Sequence, residues 1–335
     1  MPIISYQEKD FQQKIKKVGE YLQNGAVVAF PTETVYGLGA SLFQESAIQK
    51  VFQVKGRPND NPLIVHIYSV DQIEELSGRS PAVARKLIDH FWPGPLTLVL
   101  PKTKVVPNIA TAGGQTVALR MPSHPVAQQL LQAAEVPVVA PSANLSGKPS
   151  ATTAQHVWDD FRDQIDYIID GGPSWVGVES TVLDLTTSQP TLLRSGGISV
   201  EQIETVIGPI NVSERDSITG TPVKSPGQKY RHYAPQANIY IIDDVASLKT
   251  FGLNQQTAES SALILINHSE IKKNVVIPDE LKVYCFSDLR QLSANLYHIF
   301  RECDQLGIKQ IYFQKVEESN LGRAIMDRVI RASKK

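Results

Sequence analysis

Cysteine is nearly missing: Cys285 and Cys303 are the only 2 in 335 residues, both in the last sixth of the chain. Neither belongs to a CxxC pair or lies near clustered histidines, which excludes a zinc-binding framework and a disulfide scaffold and leaves both as core thiols. An excess of one charge is missing too. Lys+Arg number 33 against 34 Asp+Glu, for a net charge of -1. The chain therefore carries no global footprint of a nucleic-acid binder, and any cationic chemistry must be local. No apolar run approaches membrane-spanning length and the N-terminus has no signal-like stretch, so a cytoplasmic protein with no membrane contact is expected. Phosphate-binding glycine loops are absent as well. Gly37 and Gly39 are followed by Leu42, where a dinucleotide fingerprint needs its third glycine. Lys148 is followed by Pro149 where a Walker loop needs Ser or Thr, and Ser142 replaces that loop's first glycine.

What is present describes an ordinary globular protein, with 42% hydrophobic and 20% charged residues and enough length for roughly two domains. The stretch around which the chain is organised is Lys55 to His66, KGRPNDNPLIVH. Pro58 disfavours the helical region for Arg57, and residues two apart in an extended segment point to one side. Asp60, Asn61 and Pro62 add turn chemistry before the apolar run Leu63 to Ile67. Two cations on a stiff loop between a helix and a strand suit a bound polyanion; two ordinary surface charges on a solvated turn are the competing reading.

Along the chain, strands and helices alternate. Phe11, Ile15, Val18 and Leu22 recur at helical spacing, and Ala26 to Phe30 then reads as a buried strand. Thr32, Glu33, Thr34 and Tyr36 follow as polar groups at its end, where α/β sheets build sites. A helix over about 46–54 leads into the Lys55 loop, and Val83, Leu87, Ile88 and Phe91 mark another. Strands are expected at Leu96 to Leu100, Thr116 to Met121 (with Arg120 near its carboxyl end) and Val136 to Ala140. The last runs into the polar loop PSANLSGKPS. Further strands fall near Tyr167 to Ile169 and Thr181 to Leu185, and Ser199 with Gln202 makes a capping box for a helix through about Ile207. This α/β pattern sets a first domain over 1–207. Residues 208–237, which hold SPGQKYRHYAP, lack periodicity and read as a linker or active-site lid. A smaller α/β domain over 238–335 follows, with strands at Asn238 to Ile242, Ala262 to Ile266, Lys282 to Phe286 and Ile308 to Phe313. Its helices fall at Leu289 to Leu306 and after Asn320.

Taken in order, FPTETVYGLGA, KGRPNDNPLIVH, FWPGPLTLVL, VALRMPSHP, APSANLSGKPS, GVESTVLDL and LLRSGG resemble the threonylcarbamoyl-AMP synthases of the YrdC-like family. The trailing SPGQKYRHYAP and extra domain resemble its long two-domain form. The resemblance implies a twisted mixed sheet with flanking helices enclosing a positively charged cavity, plus a Rossmann-like C-terminal α/β domain. It implies formation of threonylcarbamoyl-adenylate and pyrophosphate from L-threonine, bicarbonate and ATP. A downstream transferase and tRNA would act as later partners, Mg2+ would ride on the phosphates, and no metal is held by the protein alone. Residue by residue, it assigns Thr34, His66, Arg120, Ala140 and Ser180 to L-threonine. Arg57, Asn61, Thr116, Ser142, Ser150, Arg194 and Tyr230 go to ATP, and Lys55 with Arg57 to the reacting phosphates. The displacement on phosphorus needs no covalent nucleophile, in keeping with the absence of a GxSxG elbow or Cys/His constellation. The alternative from another class is a non-catalytic module that binds tRNA or double-stranded RNA.

Overall fold

The computed structural model describes residues 2–78, 81–213, 233–244, 248, 255–266 and 277–334. The chain divides into two units, Met1–Ser146 with Ser150–Tyr230, and Gly147–Pro149 with Arg231–Lys335. In chain order the first holds β1 (Ile3–Ser5), α1 (Phe11–Gln23), β2 (Val28–Phe30), β3 (Gly37–Ser41), α2 (Glu45–Lys55) and β4 (Ile64–His66). Next come α3 (Gln72–Ser77), α4 (Ala82–Phe91), β5 (Leu96–Pro101), β6 (Thr116–Arg120), α5 (Pro125–Ala134) and β7 (Val138–Val139). The unit ends with α6 (Ala154–Phe161), β8 (Tyr167–Asp170), β9 (Thr181–Asp184), β10 (Thr191–Arg194), α7 (Val200–Ile207) and β11 (Asn211–Val212). Its strands form one 11-stranded mixed sheet in the order β1-β8-β2-β3-β7-β4-β6-β5-β9-β10-β11.

The two faces of that sheet have different covers. On one, Val65, Leu98, Leu119 and Leu183 join the inward residues of α2, α4 and α7 in the main core. On the other, Val28, Phe30, Val138 and Ala140 pack under α1 and α5. The spacing of Phe11, Ile15, Val18 and Leu22 puts all four on the buried stripe of α1, each worth about 1.5–3 kcal/mol of burial. The crossing of α1 with α5 requires Gly19, whose Cβ would stand 2.5 Å from the Ala133 carbonyl carbon. Further along the same face, Ile64, Val99, Ala118 and Val182 form a small separate apolar cluster. Cross-strand neighbours share a face, so residues two along from these belong to the site.

Three local differences from the sequence reading have clear causes. Lys55 is the last residue of α2, not part of an extended loop. Gly56, at φ 59, supplies the left-handed cap that lets the helix run through Lys55, and the restriction from Pro58 acts only on Arg57. The glycine-rich segment Gly37–Ser41 is a strand, antiparallel to β2. Its glycines mark close approach: a Cβ on Gly39 would lie 2.8 Å from Phe30 Cε1 and 3.0 Å from Val138 Cγ1. Finally, Asn211–Val212 pairs in parallel with β10, so the sheet runs past residue 207. The capping box at Ser199 and Gln202 is present with both bonds.

The second unit contains β12 (Asn238–Ile242), α8 (Gln255–Ala258), β13 (Ser261–Ile266), β14 (Lys282–Phe286), α9 (Leu289–Gln305), β15 (Gln310–Gln314) and α10 (Asn320–Ser333). Its four strands are all parallel, in the order β12-β15-β13-β14, the arrangement expected of a Rossmann-like layer. Tyr233, near the end of SPGQKYRHYAP, is buried in this unit. It stacks on Tyr297 at 5.6 Å, with the Arg328 guanidinium 5.4 Å from its ring. Both ends of the expected 208–237 segment are therefore built into structure, and Tyr230 with residues 214–232 lies outside the described residues. No described helix is long and apolar enough to cross a membrane.

Candidate active site

Strand register lays out the site. His66 is the last residue of β4 and pairs with Arg120, the last of β6. The antiparallel β5–β6 pairing of Leu98 with Leu119 brings Thr97 level with Arg120. Ser180, immediately before β9, shares a 2.7 Å hydrogen bond with Thr97 between their hydroxyls. Arg194 at the end of β10 donates to the Ser180 carbonyl through Nε and to its hydroxyl through Nη2, each at 3.0 Å. His66, Arg120, Thr97, Ser180 and Arg194 thus form one row across four neighbouring strand pairs.

Thr116 begins β6 and lies four residues from Arg120, about 13 Å along the strand and on the same face. Nearer that end, the Ala140 N–H donates to the Ile64 carbonyl, which leaves only the Ala140 carbonyl for a ligand. Ser142 bridges to Gly37 and donates from its hydroxyl to Asn144 Oδ1 at 2.6 Å. The Lys55 ammonium is buried against this loop and donates to the Ser142 and Asn144 carbonyls at 2.5 Å each. Arg57 Nη2 donates to the Asn61 and Pro62 carbonyls. Lys55 and Arg57 are consequently held by backbone oxygens rather than standing side by side on a loop. Ser150 is buried and donates to Glu179 Oε1 at 2.6 Å.

The electrostatics are uneven. Arg120 and Glu33 form a buried ion pair at 2.6 Å, with side chains 4% and 1% exposed. Thr34 is buried beside that pair and shares a 2.8 Å hydroxyl bond with Thr32. Burial, and then the Arg120 charge, push the His66 imidazole down to about 3, so it is neutral at physiological pH. At the site, the buried side chains of His66 and Asn61 keep polar atoms unsatisfied among the described residues: Nδ1 of His66, and both amide atoms of Asn61. Such groups cost stability unless a ligand completes them.

The structure therefore gathers Thr34, His66, Arg120 and Ser180 toward one end, and Asn61, Thr116, Ser142 and Lys55 toward the other, with Ala140 level with Ile64 and Ala118 between them. Arg194, expected with the nucleotide, instead touches Ser180, expected with the amino acid. Glu33, Asn144 and Glu179 carry contacts that the sequence reading left unassigned. The first two motifs that contain them, PTETVY and PSANLSG, were visible, but their pairing across 87 and 87 residues (Glu33 with Arg120, Lys55 with Ser142) was not.

Known proteins resemble this chain over nearly its full length. A family profile described as "Telomere recombination", of the Sua5, YciO and YrdC proteins, matches residues 20–196. A second, the C-terminal domain of threonylcarbamoyl-AMP synthase, matches 198–334. The threonylcarbamoyl-AMP synthase of Pyrococcus abyssi is 44% identical over 99% of this chain and 97% of its own length. That of Bacillus subtilis is 43% identical over 96% and 93%. The crystal structure of P. abyssi Sua5 complexed with L-threonine superposes with a TM-score of 0.89 at 42% identity, covering 99% of this chain and 98% of that one. The chain belongs to the threonylcarbamoyl-AMP synthase family, in its two-domain form.

Proposed function

We infer that the chain joins L-threonine, bicarbonate and ATP into threonylcarbamoyl-adenylate and releases pyrophosphate. The observation that carries this reading is the polar row of His66, Arg120, Thr97, Ser180 and Arg194 on the same sheet face as Thr116. It stands in a chain whose near full-length relatives are threonylcarbamoyl-AMP synthases. The row is suited to an amino acid, and the Thr116 end, with Asn61, Ser142 and Lys55, to a nucleotide.

The chemistry asks for placement more than for reactive side chains. The threonine amine attacks bicarbonate or the carbon dioxide derived from it, giving a carbamate. A carbamate oxygen then attacks the α-phosphorus of ATP in line, and pyrophosphate leaves. Arg120 would take the threonine carboxylate with the part of its fork not engaged by Glu33. The neutral His66 ring would exchange a hydrogen bond through Nδ1, and the Ala140 carbonyl would accept one from the amine or hydroxyl. Thr34 and Ser180 complete that end. Lys55, Arg57 and Arg194 would offset charge on the phosphates and the incoming carbamate. Asn61, Thr116, Ser142 and Ser150 would orient the nucleotide, with Tyr230 joining them from outside the described residues.

Among the described residues no group of three or more His, Cys, Asp or Glu is placed to hold a metal. Magnesium would accordingly be carried on the triphosphate, where it would neutralise developing charge, and no side chain is assigned to it. The mixed anhydride product suits consumption by a transferase that modifies tRNA, and a cytoplasmic setting fits both. Pyrophosphate release by the purified chain, dependent on both threonine and bicarbonate, tests the reading. Threonine-independent release would count against it.

A further inference from the structure

Glu33 is an acid placed where the reading above calls for a cation to meet a carboxylate. Its side chain is 1% exposed and both oxygens are engaged. Oε1 accepts from Arg120 Nη2 at 2.6 Å, and Oε2 accepts from the Ser123 N–H at 3.0 Å. Its own carbonyl accepts from the Val176 N–H at 2.8 Å. Ser174, two residues before Val176, donates from its hydroxyl to the Thr32 carbonyl at 2.8 Å. Glu33 therefore ties the loop that carries Thr34 to the end of β6 and to the segment that leads into Ser180. A second hold on Arg120 is weak, from Nε to the Gly94 carbonyl at 3.4 Å.

We propose that Glu33 is the positioning residue of the amino-acid end: it fixes the Arg120 fork and offsets its charge, so that the fork is presented to the carboxylate of a zwitterion. Two features separate this from plain structural support. Both of its oxygens are engaged, by Arg120 and by the Ser123 N–H, so its role runs through Arg120 and not through the reacting atoms. The pair also sums to zero charge, as does threonine, while the cations Lys55 and Arg57 are held on backbone carbonyls nearer the other end. An Arg120 without its acid would be a buried cation left with its weak Nε contact to Gly94. With Nη2 no longer anchored, the fork could turn and would lose the preorganisation that a bidentate carboxylate contact needs.

This proposal rests on the assignment of threonine to Arg120, and titration calorimetry on the full chain separates the two. L-Threonine and ATP are titrated into wild type, Glu33→Gln and Glu33→Asp. Glu33→Gln raises the threonine dissociation constant at least about tenfold, the lower end of what one charge-assisted hydrogen bond contributes, and leaves that for ATP within about twofold. Glu33→Asp keeps the charge but is one methylene too short to span both Arg120 and Ser123. It raises the threonine constant about two- to fivefold with ATP unchanged, and it carries the test should Glu33→Gln not fold. Wild-type threonine affinity in either folded variant overturns the proposal, as does an equal loss for threonine and ATP, which marks a merely structural residue. A wild type that binds no threonine contradicts the functional reading itself.

Discussion

Asn61 shows at the scale of one side chain how a binding site costs the fold that carries it. Its side chain is wholly buried and neither amide atom has a hydrogen-bond partner among the described residues. An unmet buried polar group costs about 1–3 kcal/mol. Asn61→Leu, close in volume and without polar atoms, should thus raise unfolding stability by about 1–3 kcal/mol in urea titrations while weakening ATP binding. Unchanged ATP affinity in a stabilised variant would remove Asn61 from the site. His66 makes a second case, through pH. Its folded-state value of about 3 lies below the ordinary imidazole range, so between pH 6.5 and 3 the unfolded chain binds the proton and the folded chain does not. Stability is lost as the pH falls through that window, at up to about 1.4 kcal/mol per pH unit from this one group. Between pH 7 and 5, wild type should therefore lose up to about 2 kcal/mol more than His66→Gln, and equal losses would mean that His66 titrates normally in the fold.

At the scale of elements, the site depends on how closely neighbouring segments pack. Gly196 follows β10, and a Cβ there would stand 2.3 Å from the Glu179 carbonyl oxygen, the Ser180 carbonyl carbon and the Thr181 nitrogen. Backbone cannot give way as a side chain would. Gly196→Ala should lower stability by about 3 kcal/mol, the top of the overpacking range, and loosen the Arg194–Ser180 contact that closes the row. A melting temperature and threonine affinity equal to wild type would contradict this. The same scale shows what the sequence makes legible. Periodic apolar spacing located α1 and α4 to within a residue or two, and the sequence reading placed α9 to within a residue, the start of α10, and β12 and β14 to the residue. Elements of two or three residues, such as β1 and β11, have too few positions for any period to show. β3 was not expected because its glycines have low strand propensity, although it is their lack of side chains that admits Phe30 and Val138. The motifs named polar residues that the sheet sets along one face, among them His66, Thr116 and Arg120. What they could not disclose was the pairing of those residues across the sheet, because hydrogen bonds such as Arg120–Glu33 and Arg194–Ser180 depend on strand order, which no local pattern encodes.

At the scale of the whole molecule, a near-zero net charge conceals a local division. The amino-acid end pairs its buried cation with an acid, while the cations Lys55 and Arg57 stand toward the nucleotide end, each held on backbone carbonyls. A protein so arranged can recruit a polyanionic substrate without a surface that attracts nucleic acid in general. That separates the synthase from the RNA-binding alternative, whose groove would need basic residues and stacking aromatics along its length. The measurement that bears most directly on the central claim is pyrophosphate release from ATP by the purified chain, with L-threonine and bicarbonate each present or withheld and no RNA added. The account predicts release only when both co-substrates are present. Release that ignores threonine, or no release under any combination together with tight tRNA binding, would contradict it.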